Sequence, residues 1–170
     1  MDGTTLVMKS PQPEYPDAKH PDPYTIGMEF EDFVRDKCAE IGLILQRFSS
    51  FKYQLERGDG QVDEIKLDTR CTDTGRLSIE IAEKSKATNP SFVSSGIYAD
   101  SDFWLYIQGN EHIIFIFPRN LLQLLHRTGR YKEHQLATIK KFYLPFSDAL
   151  KYAAKAIPVD EIGKALMECP

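Results

Sequence analysis

The chain of 170 residues is 42% hydrophobic and 27% charged, which is typical of a folded globular protein and excludes wholesale disorder or a fibrous repeat. A formal net charge of −4 excludes a histone-like protein that coats nucleic acid non-specifically, although an enzyme with its basic residues on one face remains compatible. No apolar run reaches the about 18 residues of a membrane helix, and no apolar signal segment opens the sequence. Because three scattered cysteines indicate a reducing compartment, we expect a cytoplasmic protein without membrane association.

Residues 1–26 differ in composition from the rest of the chain, with five prolines between residues 11 and 23. Closely spaced prolines remove backbone donors and block both helices and central strands. We therefore expect an extended Pro-rich arm over 1–26, followed by one α/β domain over 27–170.

The domain is predicted to open with a helix from about Gly27. Its apolar residues recur at three- and four-residue steps, which indicates one buried face, and Gly42 provides a stop. The residues on this face are Phe30, Phe33, Val34, Cys38 and Ile41. Acidic residues, Glu31 among them, fall in the first turn, where the helix dipole favours negative charge.

Strand-like segments follow the helix. Alternation is weak over 44–48 and 51–57, and stronger over 62–68 and 76–84. Residues 72–75 have the composition of a hairpin turn, so the last two strands are predicted to be adjacent and antiparallel. If the second strand stays regular, Lys84 lies on the same face as Glu80.

The remaining elements are predicted from apolar patterns and breakers. In order they are a loop over 85–101, strands over 102–107 and 112–117, a helix from Pro118 to Leu125, a polar loop over 128–141, a short strand over 142–146, and helices over 147–157 and 159–167. The two strands before Pro118 are almost continuously apolar, so both of their faces should be covered. This order indicates an α/β protein with a central mixed sheet flanked by helices.

Asp68 and Glu80 are the candidate site, because a hairpin would bring both carboxylates to one polar face. Two carboxylates a few ångströms apart repel each other unless a cation lies between them. Oxygen ligands without nearby His or Cys favour Mg²⁺ or Mn²⁺. Lys66 and Lys84 would supply positive charge beside them. The plainer alternative is a cross-strand ion pair between Glu80 and one of these lysines.

Three short motifs carry a resemblance to a known superfamily. They are Gly27-Met28-Glu29-Phe30-Glu31, Ile65-Lys66-Leu67-Asp68 and Ile79-Glu80-Ile81-Ala82-Glu83-Lys84. Over residues 27–127 the chain resembles the restriction-endonuclease-like PD-(D/E)xK nucleases. The resemblance implies that fold and a metal-dependent hydrolysis of DNA phosphodiester bonds. By the same resemblance Asp68, Glu80 and the helical Glu31 would bind Mg²⁺ or Mn²⁺, and a homodimer would suit the two strands of a duplex.

One position departs from the superfamily pattern, since Ala82 stands where the lysine is usual. The amine would then come from Lys84 or from Lys66, which shares the face of Asp68. This departure leaves two alternatives open: a catalytically inactive module that binds nucleic acid or a protein partner, and an enzyme of another class acting on an acidic ligand. A late basic segment is either a solvated face or a phosphate-backbone contact; its residues are Arg119, Arg127, Arg130, Lys132, Lys140 and Lys141.

Overall fold

The computed structural model describes residues 23–45 and 63–168. The Pro-rich arm up to residue 22, the predicted strand over 51–57 and most of the one over 44–48 lie outside the described residues. In chain order the elements are α1 (Pro23–Glu40), β1 (Asp63–Leu67), α2 (Cys71–Thr74), β2 (Arg76–Glu83), β3 (Val93–Ser94), a 3-10 turn (Gly96–Tyr98), β4 (Leu105–Gly109), β5 (Ile113–Pro118), α3 (Arg119–Arg127), β6 (Glu133–Gln135), β7 (Ile139–Pro145), α4 (Phe146–Tyr152), β8 (Lys155–Pro158) and α5 (Glu161–Glu168).

The strands form two four-stranded sheets. The first sheet is mixed, with the order β1-β4-β5-β8, and only its β1–β4 pair is parallel. The second sheet is antiparallel, with the order β3-β2-β7-β6. The α/β class is therefore confirmed, but the strands are divided between two sheets where one central sheet was expected.

Strand alternation divides the interior into two apolar clusters, one on each face of the mixed sheet. Leu105 and Ile107 of β4 face α1, whose Phe30 and Val34 pack against them. On the opposite face Tyr106 contributes to a cluster shared with the antiparallel sheet; its other members include Leu77, Ile79, Phe115, Phe117, Phe142 and Leu144. Strands β4 and β5 are thus covered on both faces, as their apolar sequences predict.

Helix α1 begins at Pro23, four residues before the predicted start, and proline suits a first helical position. Its end is as predicted, because Gly42 follows it with a φ of 83°, a conformation that favours glycine. No helix among the described residues is long and apolar enough to cross a membrane.

The predicted hairpin between residues 62–68 and 76–84 is wrong. β1 pairs with β4 in the mixed sheet, whereas β2 pairs with β3 and β7 in the antiparallel sheet. Residues Cys71–Thr74 form one helical turn that ends at Gly75 in the left-handed conformation, φ 63°. This turn separates the two strands, because the same Thr, Asp and Gly residues suit a helical turn as well as a hairpin.

Two later boundaries also differ. The predicted loop over 128–141 contains β6 and the start of β7. The helix predicted to run to Ile157 ends at Tyr152, and β8 follows it. Ile157 lies opposite Ile114 in the register, so pairing with the open edge of β5 overrides the helical preference of the alanines before it.

Candidate functional site

A cleft of about 360 Å³ lies where β1 and β4 of the mixed sheet meet one face of β2 and β7. It is lined by Lys66, Leu67, Asp68, Thr69, Arg70, Thr74, Arg76, Ser78, Glu80, Tyr106, Gln108, Ile139, Lys141 and Tyr143. Asp68, Glu80 and Lys66 are therefore brought together even though the predicted hairpin is absent. The shared face arises from two sheets that meet, not from two paired strands.

Asp68 directly follows β1, and its carboxylate joins the two sheets. Its Oδ2 accepts hydrogen bonds from the backbone N–H of Ser78 at 2.9 Å and from Nε2 of Gln108 at 3.2 Å. Its Oδ1 is 3.4 Å from the backbone nitrogen of Arg70. These hydrogen bonds fix the orientation of the Asp68 carboxylate in the cleft.

Gln108 has a side chain with only one hydrogen-bonded orientation. Its Nε2 donates to the carbonyl oxygen of Ser78 at 2.9 Å as well as to Asp68, and both of these neighbours are acceptors. The amide oxygen must therefore point the other way, and it is buried without a hydrogen bond from the described residues. An orphaned buried acceptor of this kind calls for a cation or a water.

Tyr106 provides a second orphaned group in the cleft. Its side chain is fully buried and its hydroxyl has no hydrogen-bond partner among the described residues. Burial, followed by the charges of Glu64 and Glu80, raises the pKa of Tyr106 well above its ordinary value. The backbone N–H of Glu80 lies close enough to oppose this rise but makes no hydrogen bond of standard geometry. The hydroxyl therefore stays protonated.

Glu80 is held by the segment that contains Ser95 and Gly96. The Ser95 hydroxyl donates to Oε1 of Glu80 at 2.5 Å, and the Ser95 N–H donates to the carbonyl oxygen of Ile81 at 3.3 Å. The carbonyl oxygen of Ile81 is thus already hydrogen-bonded. Gly96 has a φ of 53°, and any Cβ there would overlap the backbone of Glu80. The predicted loop over 85–101 therefore contains the residues that position Glu80.

Lys66 lies on the cleft face of β1, and its Nζ is 2.8 Å from Oε1 of Glu64. Burial lowers the pKa of Lys66, but the charge and hydrogen bond of Glu64, with smaller contributions from Glu80 and Glu83, outweigh burial and raise it. Lys66 is therefore a protonated cation. It can stabilise negative charge, but it cannot act as a base at neutral pH.

Lys84 is directed away from the cleft by a β-bulge. The pairing of β2 with β7 runs Glu80 to Lys141 and then Ala82 to Lys140, so its register shifts between Glu80 and Ala82. Residues beyond the bulge consequently exchange faces. Lys84 Nζ lies 4.5 Å from the ring centroid of Phe92 and is not among the residues that line the cleft. The prediction that Lys84 shares the face of Glu80 is wrong.

Glu31 is also remote from the cleft lining. It lies on α1, where its Oε2 is 3.2 Å from Arg35 NH1. Helix α1 packs on the face of the mixed sheet opposite Tyr106 and Gln108. The structure thus brings together Asp68, Glu80 and Lys66, and places Glu31 and Lys84 elsewhere.

Sequence reasoning missed the basic and aromatic side of the cleft. Arg70, Arg76 and Tyr143 were given no role, and Lys141 appeared only within the late basic segment. Alternation along β7 was the available signal: Ile139, Lys141 and Tyr143 share one face, and Phe142 and Leu144 are buried on the other. The missing information was the pairing of β7 with β2.

Asp68 and Glu80 are the two carboxylates that line the cleft. Among the described residues no group of three or more His, Cys, Asp or Glu is placed to hold a metal. Mg²⁺, however, keeps several waters and commonly binds proteins through one or two carboxylates together with substrate phosphates. Asp68, Glu80 and the orphaned amide oxygen of Gln108 are oxygen donors of the kind that this ion prefers.

Comparisons with protein-family models, curated proteins and solved structures gave no match for this chain. The fold is accordingly described by its own topology, two four-stranded sheets and five helices among the described residues.

Proposed function

We propose that this protein is a metal-dependent nuclease that hydrolyses DNA phosphodiester bonds in the cleft between its two sheets. The observation that supports the proposal is the composition of that cleft. Asp68 and Glu80 face it together with four basic side chains; these are Lys66, Arg70, Arg76 and Lys141. Metal-dependent hydrolysis of a phosphodiester requires carboxylates that bind the metal ion. It also requires positively charged side chains that bind the phosphate.

In this proposal each side chain has a separate task. Asp68 and Glu80 would hold Mg²⁺ or Mn²⁺, and the ion would supply Lewis-acid stabilisation of charge on the phosphate. Lys66, which stays protonated, would stabilise the negative charge that develops on the phosphate oxygens. Hydrolysis joins a water oxygen to phosphorus and breaks one P–O ester bond, and the departing alcohol oxygen takes a proton from that water. Gln108 would keep the Asp68 carboxylate directed into the cleft.

One observation favours a second candidate, a nuclease-like module that binds nucleic acid without cleaving it. Lys66, the cleft lysine on β1, is already paired with Glu64 at 2.8 Å, and Lys84 is turned away by the bulge. A cleft whose basic side chains bind phosphate, but whose Lys66 is already paired with Glu64, would bind a nucleic-acid strand and cleave it slowly or not at all. The experiment below separates these two functions.

Plasmid DNA and a labelled oligonucleotide should be incubated with the purified protein in Mg²⁺, in Mn²⁺ and in EDTA. We expect cleavage that requires the metal and falls by about 100-fold or more in Asp68→Asn and Glu80→Gln. Asp73→Asn serves as the matched control, because Asp73 is an exposed acid on α2 outside the cleft. Thermal unfolding shows that each variant is folded.

Three results would decide the matter. Metal-dependent cleavage that survives both cleft substitutions would remove the proposed site. Oligonucleotide binding without cleavage in either metal would favour the non-catalytic module. Loss of activity in Asp73→Asn equal to that in Asp68→Asn would mean that the effect is not specific to the cleft.

A further inference from the structure

Two cations that line the cleft share one aromatic ring. The Arg76 guanidinium carbon lies 3.9 Å from the ring centroid of Tyr143, and Lys141 Nζ lies 5.2 Å from the same centroid. The three side chains come from neighbouring antiparallel strands, since Ser78 is paired with Tyr143 and Glu80 with Lys141. All three line the cleft. The ring therefore holds two positive charges beside the carboxylates.

Neither cation is paired with an acid among the described residues. Lys141 is directly opposite Glu80 in the register, yet no ion pair within 4.0 Å joins their side chains, and Oε1 of Glu80 is bonded to Ser95. Within the described ranges, Arg76 likewise has no carboxylate partner, in contrast to Arg130, which is 3.2 Å from Asp148. Positive charge at this position is therefore available for a ligand.

The ring also orients the Arg76 guanidinium for a ligand with two adjacent oxygens. A guanidinium over an aromatic face loses side-chain freedom, but its N–H groups lie in its own plane and remain able to donate. Two parallel N–H groups match two oxygens of a phosphate, whereas an ammonium acts as a point charge. Arg76 and Lys141 together thus offer one bidentate donor and one mobile charge.

We propose that Arg76 and Lys141, held on the ring of Tyr143, form a phosphate-binding subsite for the backbone of a nucleic-acid strand next to Asp68 and Glu80. This assignment rests on the proposed function and specifies how the substrate enters the site. The subsite contacts backbone phosphate and not base edges, so it carries no sequence preference. Its ligand chemistry is shared by free phosphate and mononucleotides, which the experiment includes as separate arms.

The test measures binding of a fluorescein-labelled oligonucleotide by anisotropy in EDTA, where cleavage cannot occur, over a range of salt concentrations. We expect Arg76→Ala and Lys141→Ala to weaken binding by about tenfold each. Each should also reduce the slope of log affinity against log salt by about 0.7–0.9, the contribution of one phosphate contact. Lys151→Ala is the matched control, because Lys151 lies 5.2 Å from the ring of Tyr152 but outside the cleft.

Conservative variants test the geometry apart from the charge. Arg76→Lys should retain the salt slope but lose part of the affinity, since the ammonium cannot bind phosphate bidentately. Tyr143→Leu removes the ring and should weaken binding without changing the protein's charge. If Tyr143→Leu fails to fold, the Arg76 and Lys141 variants still decide.

Failure of this inference can be told apart from failure of the nuclease function. Binding by Arg76→Ala and Lys141→Ala that equals binding by Lys151→Ala overturns the subsite, whether or not the protein cleaves DNA. Weakened binding in these variants supports the subsite even when no cleavage occurs in Mg²⁺ or Mn²⁺. Inorganic phosphate or a mononucleotide that binds as tightly as the oligonucleotide would overturn the assignment to a strand backbone.

Discussion

At the scale of single residues, Gly96 lies outside the cleft but helps to fix the position of Glu80, which lines it. Gly96 has a φ of 53° and lies so close to the Glu80 backbone that a side chain would not fit. Its neighbour Ser95 holds the Glu80 carboxylate. The backbone contact at Gly96 and the hydrogen bond at Ser95 therefore act together on one strand residue.

Gly96→Ala should lower the free energy of unfolding by about 2–5 kcal/mol, the sum of a left-handed alanine and overpacking against Glu80. Gly129→Ala is the control, because Gly129 has a φ of 70° but no heavy atom within 4 Å of a Cβ. It should cost only about 1–2 kcal/mol. Urea unfolding of both variants measures the difference, and equal costs would contradict the close packing of Gly96 on Glu80.

At the scale of elements, the bulge in β2 decides which lysine belongs to the cleft. Without it, Glu80 and Lys84 would share a face, as strand alternation implies. With it, Lys84 and Lys140 both approach Phe92, with Nζ atoms 4.5 and 4.8 Å from its ring centroid. Bulges redirect side chains in this way next to functional sites.

Lys66→Ala should therefore reduce metal-dependent cleavage by about 100-fold, because a protonated amine facing the cleft is lost. Lys84→Ala should leave the rate nearly unchanged, since Lys84 is on the other side of the strand. Initial rates on the oligonucleotide, with circular dichroism as the check on folding, compare the two variants. A large loss in Lys84→Ala with none in Lys66→Ala would reverse the assignment.

At the scale of the whole molecule, a hydrogen-bonded pair, His112 and Asp160, joins helix α5 to the β4–β5 connection. His112 Nδ1 is 2.6 Å from Oδ2 of Asp160, and Oδ1 of Asp160 accepts the N–H of Gly163 at 3.0 Å. The hydrogen bond to Asp160 raises the pKa of His112 above 6.5. The Gly163 N–H, followed by the hydrogen bond to His112, lowers the pKa of Asp160 below 3.8.

The stability that this pair contributes should therefore fall at both high and low pH. The stabilisation from His112 is fully present below pH 6.5 and is lost as the pH rises through its higher folded-state pKa. The stabilisation from Asp160 is present above pH 3.8 and is lost as the pH falls through its lower folded-state pKa. Thermal unfolding of wild type and His112→Asn should thus differ most near pH 5–6 and converge at alkaline pH. A difference that grows with pH would contradict this.

The position of the cleft is also a property of the whole molecule. Its walls come from three distant stretches of chain, around Asp68 and Glu80, around Gln108, and around Lys141. Gln108 connects the two sheets by donating to both Asp68 and the Ser78 carbonyl. No single motif contains this arrangement.

Much of the local structure follows from the sequence alone. Three features depend only on residues that are neighbours in the chain. They are the apolar face of α1 with the glycine that ends it, the β4–β5 hairpin that is covered on both faces, and the helix after Pro118. The sequence also predicts that Asp68, Glu80 and Lys66 lie on the polar faces of their strands. They are polar residues within an alternating apolar pattern, which indicates a position facing solvent or a site. These features depend on local periodicity, which a sequence displays directly.

Only the tertiary structure decided which strand pairs with which. Alternation specifies the two faces of β1 and β2, but it does not specify the edge that each strand meets, and here they joined different sheets. Three features depend on such pairing. The bulge turns Lys84 away from the cleft, and residues 155–158 form a strand where a helix was predicted. The third feature is the grouping of Arg76, Lys141 and Tyr143. Backbone hydrogen bonds between strands are the same for every sequence, so long-range packing of the apolar faces selects the partner.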